Sequence, residues 1–169
     1  MIETIKDFYA GACDTAKLFD EFVAKHGLSE IAKADHLCYK CDSSKVFLAM
    51  REFLEANSKW SYTSPIAGRR ISVIRLNEPI TTSLGDISII ELSDQKPDGS
   101  QTNRFDHIEI YSTSGDYEGL AQHLKDRGLN VNEVVRPHHT TYDVRVTDTF
   151  IVRLTEGPLA DKIREEQTN

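Results

Sequence analysis

The dipeptide Asp-His occurs twice, as Asp35-His36 and Asp106-His107, each time heading a short apolar run, Leu37-Cys38-Tyr39 and Ile108-Glu109-Ile110. The copies lie about 70 residues apart, too far for a solenoid repeat and suited to two copies of one small module. Imidazole is the commonest protein metal ligand, and two at equivalent places in paired modules can face each other across the joint. The chemistry such a pair offers is the holding of a divalent ion. Glu109 lies two residues beyond His107, hence on the same strand face, with Cys38 as its expected neighbour on the paired strand. From there it could ligate the ion, orient an imidazole or serve as a general base.

Glu91 stands in an apolar strand, where an unpaired carboxylate is costly. Its partner is either a metal or one of Arg75, Arg145 and Arg153, and these arginines would favour an anionic ligand if they faced the site. Cys38 and Cys41 form a C-x-x-C, but three apart on one strand their side chains point to opposite faces and cannot share an ion. With Cys13 the cysteines number three, and without an export signal they argue against a disulfide framework. His138-His139 are expected on a rim loop, His26 and His123 exposed on helices, Arg69-Arg70 on a turn surface, and Trp60 and Phe47 in the core.

The elements that must position these groups are readable from periodicity. Ile5, Phe8, Tyr9, Ala12, Ala16, Phe19, Phe22 and Val23 recur at helical spacing, with Gly27 as the stop. A strand from His36 to Cys41 follows, then a helix capped by Ser43 or Ser44 and running to about Asn57. Strands are predicted over Ser61 to Ile66, Ile71 to Leu76 and Asp86 to Leu92, with Asn77, Pro79 and Gly85 bracketing the last connection. After linker-like residues from Ser93 to Arg104 the order repeats: a strand from Phe105 to Tyr111, a helix from Ser114 to Gly128, and strands over Leu129 to Val135, Thr141 to Val146 and Thr149 to Thr155. Val144-Arg145-Val146 matches Ile74-Arg75-Leu76, and Ile151-Val152-Arg153-Leu154 matches Ile89-Ile90-Glu91-Leu92, so Arg153 is the repeat equivalent of Glu91. The tail from Leu159 is polar, with room for a short helix. The expected organisation is one domain over residues 1–169, with a helical segment over 1–30 and βαβββ modules over 34–92 and 105–157.

The 169 residues, 28% of them charged and 39% hydrophobic, suit a soluble globular protein with a real core. A net charge of -7 argues against nucleic acid or an anionic membrane as the main partner. No run reaches the roughly 18 apolar residues a membrane helix needs, and the acid-bearing N-terminus does not read as a signal peptide, so the cytoplasm is the default location.

Ala-Asp-His-Leu-Cys-Tyr-Lys-Cys, Gly-Arg-Arg-Ile-Ser-Val-Ile-Arg-Leu, Ile-Ser-Ile-Ile-Glu-Leu and Phe-Asp-His-Ile-Glu-Ile, spread over Ile31 to Leu159, resemble the YecM family of the vicinal oxygen chelate superfamily. Glyoxalase I, methylmalonyl-CoA epimerase, extradiol dioxygenases and bleomycin-resistance proteins share that superfamily. The resemblance implies an α+β fold: paired βαβββ modules forming an open eight-stranded half-barrel cup, here with an added N-terminal helix. It implies a divalent metal in the cup whose open positions hold two adjacent oxygens of a small-molecule substrate. Ligands then come from the first and last strands of each module: His36, Glu91 and His107, with Arg153 where a fourth would stand. An arginine cannot bind a cation. The remaining His-His-Glu set resembles a facial triad and suits zinc, manganese or iron(II), with Glu91 and Glu109 both open as the carboxylate ligand. The expected chemistry is Lewis-acid polarisation with proton transfer, as in an isomerase, epimerase or lyase. The alternatives are a protein that binds a small molecule without turnover, or a scaffold. Because two modules close one cup within a chain, a monomer and a homodimer are both compatible.

Overall fold

In the computed structural model the described residues are 2–66, 68–135 and 139–168. Arg136, Pro137 and His138, the last of them an expected rim residue, lie outside this set. Helix α1 (Ile5–His26) begins at a capping box in which the Thr4 side chain accepts from Asp7 N while the Asp7 carboxylate accepts from Thr4 N. It ends at Gly27, whose φ of 64° is the left-handed conformation a helix stop requires.

Strand β1 (Ala32–Lys40), helix α2 (Ser44–Ala56) and strands β2 (Ser58–Ile66), β3 (Arg69–Thr82) and β4 (Gly85–Ser93) form the first βαβββ unit. Strand β5 (Arg104–Ser112), helix α3 (Tyr117–Asp126) and strands β6 (Val131–Val135), β7 (Thr140–Arg145) and β8 (Ile151–Thr155) repeat it, and α4 (Leu159–Thr168) follows. The eight strands make one open sheet in the order β2-β3-β4-β1-β5-β8-β7-β6. Within each unit the first and last strands pair in parallel, and the antiparallel β1–β5 pair joins the two halves.

The register reveals a local two-fold. Leu37 lies opposite Ile108, its own repeat equivalent, while His36 faces Glu109 and Cys38 faces His107. Strand alternation then sorts the side chains into two faces. Leu37, Ile74, Ile90, Ile108, Val144 and Val152 turn toward α1, α2 and α3 and build the main core with Phe8, Phe19 and Phe47. His36, Cys38, Glu91, His107, Glu109 and Arg153 turn to the other face, the inside of the cup. Leu37 is fully buried at the joint, so Leu37→Ala is expected to cost about 2–5 kcal/mol in urea unfolding. A loss below about 1 kcal/mol would show that the joint repacks around the gap.

Several expectations are corrected. Asn77 and Pro79 lie inside β3, because a register shift between Arg75 and Ile80 lets the proline, which has no N–H, fall out of the ladder. Helix α3 is capped by Asp116, whose carboxylate accepts from Gly119 N, and begins at Tyr117 instead of Ser114. Trp60 is 37% exposed and stacks on Tyr62, since β2 is an edge strand. His26 is buried against Phe22, and His123 is half-buried beside the His26 carbonyl. Arg70 is paired with Asp94 through Nε at 2.8 Å and Nη2 at 2.7 Å, and its guanidinium lies over Phe47. The tail helix α4 lies on the inner face, where Leu159 and Ile163 pack with Tyr62, Val73 and Ile89. No helix among the described residues is long and apolar enough to cross a membrane.

Candidate metal centre

Two rows of side chains cross the inner face. One runs Val73, Glu91, Cys38, His107, Ile151 and Arg145; the other runs Arg75, Ile89, His36, Glu109, Arg153 and Asp143. The two-fold exchanges them, so Cys38 is the counterpart of Glu109, Glu91 of Arg153 and Val73 of Asp143. The duplication has kept the histidines, His36 and His107, the isoleucines, Ile89 and Ile151, and the arginines, Arg75 and Arg145, and differs at the other three pairs.

His36 and His107 are both buried, with ring centroids 6.1 Å apart. Each hands its Nδ1 to the aspartate before it: His36 to Asp35 Oδ2 at 2.8 Å and His107 to Asp106 Oδ2 at 2.9 Å. That fixes each ring with Nε2 aimed inward, the arrangement in which a carboxylate orients a ligand imidazole. Asp106 also meets Lys40 Nζ at 2.6 Å and Arg104 Nη2 at 2.7 Å. Burial disfavours its charge, yet the hydrogen bond and charge of His107 and those of Lys40 outweigh this and hold the carboxyl far below the usual range. Asp35 Oδ2 additionally accepts from Leu159 N at 3.0 Å, tying the first ring to the start of α4.

His36 Nε2 is buried and finds no hydrogen-bond partner among the described residues. It lies 3.8 Å from Glu91 Oε2 and 3.8 Å from Glu109 Oε1, and His107 Nε2 lies 3.6 Å from Glu109 Oε1. These gaps exceed hydrogen bonds and approach the separation of two ligand atoms that each sit roughly 2.1 Å from one ion. Two sets of donor atoms lie within 4.8 Å of one another: His36, His107 and Glu109, and Cys38, Glu91 and His107.

The electrostatics call for a cation at His36. Burial opposes its protonation, but Glu109, the hydrogen bond and charge of Asp35, and Glu91 together push its pKa up to about 9. Burial likewise opposes ionisation of Glu109, and His36, His107 and Arg153 prevail and hold it well below the usual carboxylate range. The Cys38 thiol is driven well above its ordinary value by burial and by Glu91, whose Oε1 accepts its proton at 3.2 Å. Arg153 is fixed by Asp143, with Nε to Oδ1 at 2.7 Å and Nη2 to Oδ2 at 2.9 Å. Its Nη1 donates to His107 Nε2 at 3.2 Å and comes within 3.8 Å of Glu109.

Of the residues singled out from the sequence, His36, His107, Glu91, Glu109 and Arg153 are brought together. Arg75 and Arg145 are not: Arg75 is exposed two strands from His36, and Arg145 donates to the Asp148 carbonyl at 2.9 Å. Glu109 faces His36 across the strands, not Cys38 as expected, because the two-fold runs through Leu37 and Ile108. Cys38, Asp35, Asp106 and Asp143 are additions. The two aspartates stood in the repeated Asp-His, and Cys38 matches Glu109 in the repeat alignment; Asp143 gave no signal. A cavity of about 640 Å³ lined by Ile2, Gly11, Tyr39 and Phe105 lies by α1, on the opposite face of the sheet. The donor set fits a divalent ion: two oriented imidazoles, one with an unpartnered buried Nε2, and two carboxylates.

Asp35→Asn keeps an acceptor for Leu159 N but removes the charge behind His36. It is expected to lower manganese affinity about 10–100-fold, read by titration calorimetry. Unchanged affinity would mean that His36 does not ligate.

The open sheet of two βαβββ units is the fold of the vicinal oxygen chelate superfamily. Maize (Zea mays) glyoxalase I is similar in fold, at 15% identity and a TM-score of 0.51, over 77% of this chain and 44% of that one. This chain therefore spans less than half of that enzyme. The chain belongs to the YecM family, whose model, described as YecM protein, matches residues 15–147. A structural-genomics structure called protein EC4020 is similar over 94% of this chain and 92% of its own, at 20% identity and a TM-score of 0.68. No curated protein sequence matches the chain.

Proposed function

We propose that the protein holds a divalent ion, zinc, manganese or iron(II), between its two halves and acts on a small, oxygen-rich, anionic molecule. The observation that carries this reading is His36 Nε2, buried without a hydrogen-bond partner among the described residues and 3.8 Å from two carboxylates. His36, His107 and Glu109 would hold the ion, and Asp35 and Asp106 orient the rings. When bound, the ion supplies Lewis acidity toward a pair of substrate oxygens.

The remaining work falls to side chains at the rim of this set. Glu91 has a 23% exposed side chain, against 15% for Glu109, and so can take a proton from substrate and return it. The motif match assigns the opposite roles, Glu91 as ligand and Glu109 as base. The distances favour Glu109 as ligand because its Oε1 lies near both Nε2 atoms. Arg153, pinned by Asp143, offers Nη1 to an anionic group. Arg75 and Arg145 would meet a ligand only farther out. Proton transfer next to a carbonyl, as in an isomerase, epimerase or lyase, is the chemistry these positions serve. The reading takes residues 1–169 as one domain acting in the cytoplasm, as a monomer or homodimer.

A second reading is favoured by Arg153 Nη1, which already bonds His107 Nε2. In it the guanidinium and protonated His36 provide the positive charge, and the cup binds an anion without metal or turnover. Elemental analysis of protein purified without chelator or histidine tag separates the two. Stoichiometric manganese, zinc or iron, with manganese lost in His36→Ala, supports the first reading; absent metal, with no uptake of added ions, supports the second. A turnover screen over 2-oxo acids, 2-hydroxy acids and catechols then distinguishes an enzyme from a binder.

A further inference from the structure

We propose that Cys38, Glu91 and His107 form a second, sulfur-containing seat that thiophilic divalent ions occupy in preference to the seat of His36, His107 and Glu109. The inference rests on the metal-binding reading above. Cys38 sits in the middle of its row, directly opposite Glu91 on one side and His107 on the other. It is fully buried, and its Sγ, a Glu91 oxygen and a His107 ring nitrogen lie within 4.8 Å of one another.

The companion seat offers nitrogen and oxygen only. Thiolate favours zinc, cobalt and cadmium, whereas manganese favours oxygen donors, so the two seats differ in the ions they prefer. His107 belongs to both, and its Nδ1 is committed to Asp106. One Nε2 lone pair serves one ion, so the seats are alternatives.

Occupation of the sulfur seat is balanced by one proton. Cys38 S–H, which now donates to Glu91 Oε1 at 3.2 Å, gives its proton to that oxygen. Glu91, partly open to solvent, passes the proton to water, and the thiolate and carboxylate then bind the ion. No oxidation or reduction takes place. Seating an ion there consumes Glu91, the group that the other seat leaves free to move protons.

The test uses cobalt(II), zinc and manganese on the full chain in a Cys13→Ser background, which removes the exposed thiol. The expected result is a near-ultraviolet thiolate-to-cobalt charge-transfer band that Cys38→Ser abolishes while visible cobalt transitions persist. Cys38→Ser should lower zinc affinity by about tenfold or more and leave manganese within about threefold; Glu109→Gln should do the reverse. Bound cobalt without the band, or equal losses for zinc and manganese in Cys38→Ser, would overturn the sulfur seat and leave the metal-binding reading standing. If no ion binds the unsubstituted protein, that reading fails and the seat fails with it.

Discussion

Replacing His107 with alanine is expected to abolish tight binding of manganese and zinc alike. His107 is the residue common to both sets of donor atoms, so no choice of seat escapes its loss. Removing a group that merely orients a ligand costs 10–100-fold, so deleting the ligand itself should cost more than about 100-fold for each ion. Glu109→Gln and Cys38→Ser, by contrast, should each spare one class of ion. Equilibrium dialysis of each ion against His107→Ala provides the measurement. Circular dichroism verifies the fold, since Asp106 keeps Lys40 and Arg104 after the ring is gone. Affinity retained within about threefold for either ion would remove His107 from the centre.

The metal-free protein should lose stability as the pH rises from about 6.5 to 9. The His36 pKa is raised in the folded state from 6.5 to about 9. A raised pKa means that the folded chain holds the proton more tightly than the unfolded chain does. The contribution is therefore complete below pH 6.5 and disappears as pH climbs through 9. At about 1.4 kcal/mol per pH unit this amounts to about 3 kcal/mol, enough to move a urea midpoint clearly. Glu109 stays ionised across the window because its pKa is depressed, and so adds no slope there. His36→Gln should flatten the profile. Saturating manganese should also remove the fall, because the ion takes the lone pair that the proton held and neither state then carries the proton above pH 6.5. A flat profile for the metal-free, unsubstituted protein would contradict the carboxylate cage around His36.

The repeat was legible in residue types alone. The Asp-His pair, and the match of Ile89-Ile90-Glu91-Leu92 to Ile151-Val152-Arg153-Leu154, anticipate two units of one element order and place Arg153 at the position of Glu91. Strand periodicity, however, carries no information on cross-strand register. The partner of Glu109 could not be fixed before the two-fold through Leu37 and Ile108 was seen. As a ligand Cys38 is weighed in the sequence only with Cys41, and the parity argument that separates them does not bring it to Glu91 and His107. Asp35 and Asp106 mark the motif, but their hold on the rings is not legible there, because an adjacent-residue hydrogen bond depends on side-chain χ angles. The docking of α4 is hidden by its polar composition: among its described side chains, Leu159 and Ile163 supply the apolar contacts.

The β1–β5 pair that joins the halves has a consequence for how the molecule breathes. The pairing brings together segments about 70 residues apart in the chain, and the two imidazoles flank it, one on each strand. An ion held by His36 and His107 is therefore a staple across this seam, and its binding energy becomes resistance to the halves parting. Amide exchange at Leu37 and Ile108 would then slow with ion concentration, while exchange at the outer hairpin of β6 and β7 would not. The ion would act as a latch between duplicated halves as well as a reagent.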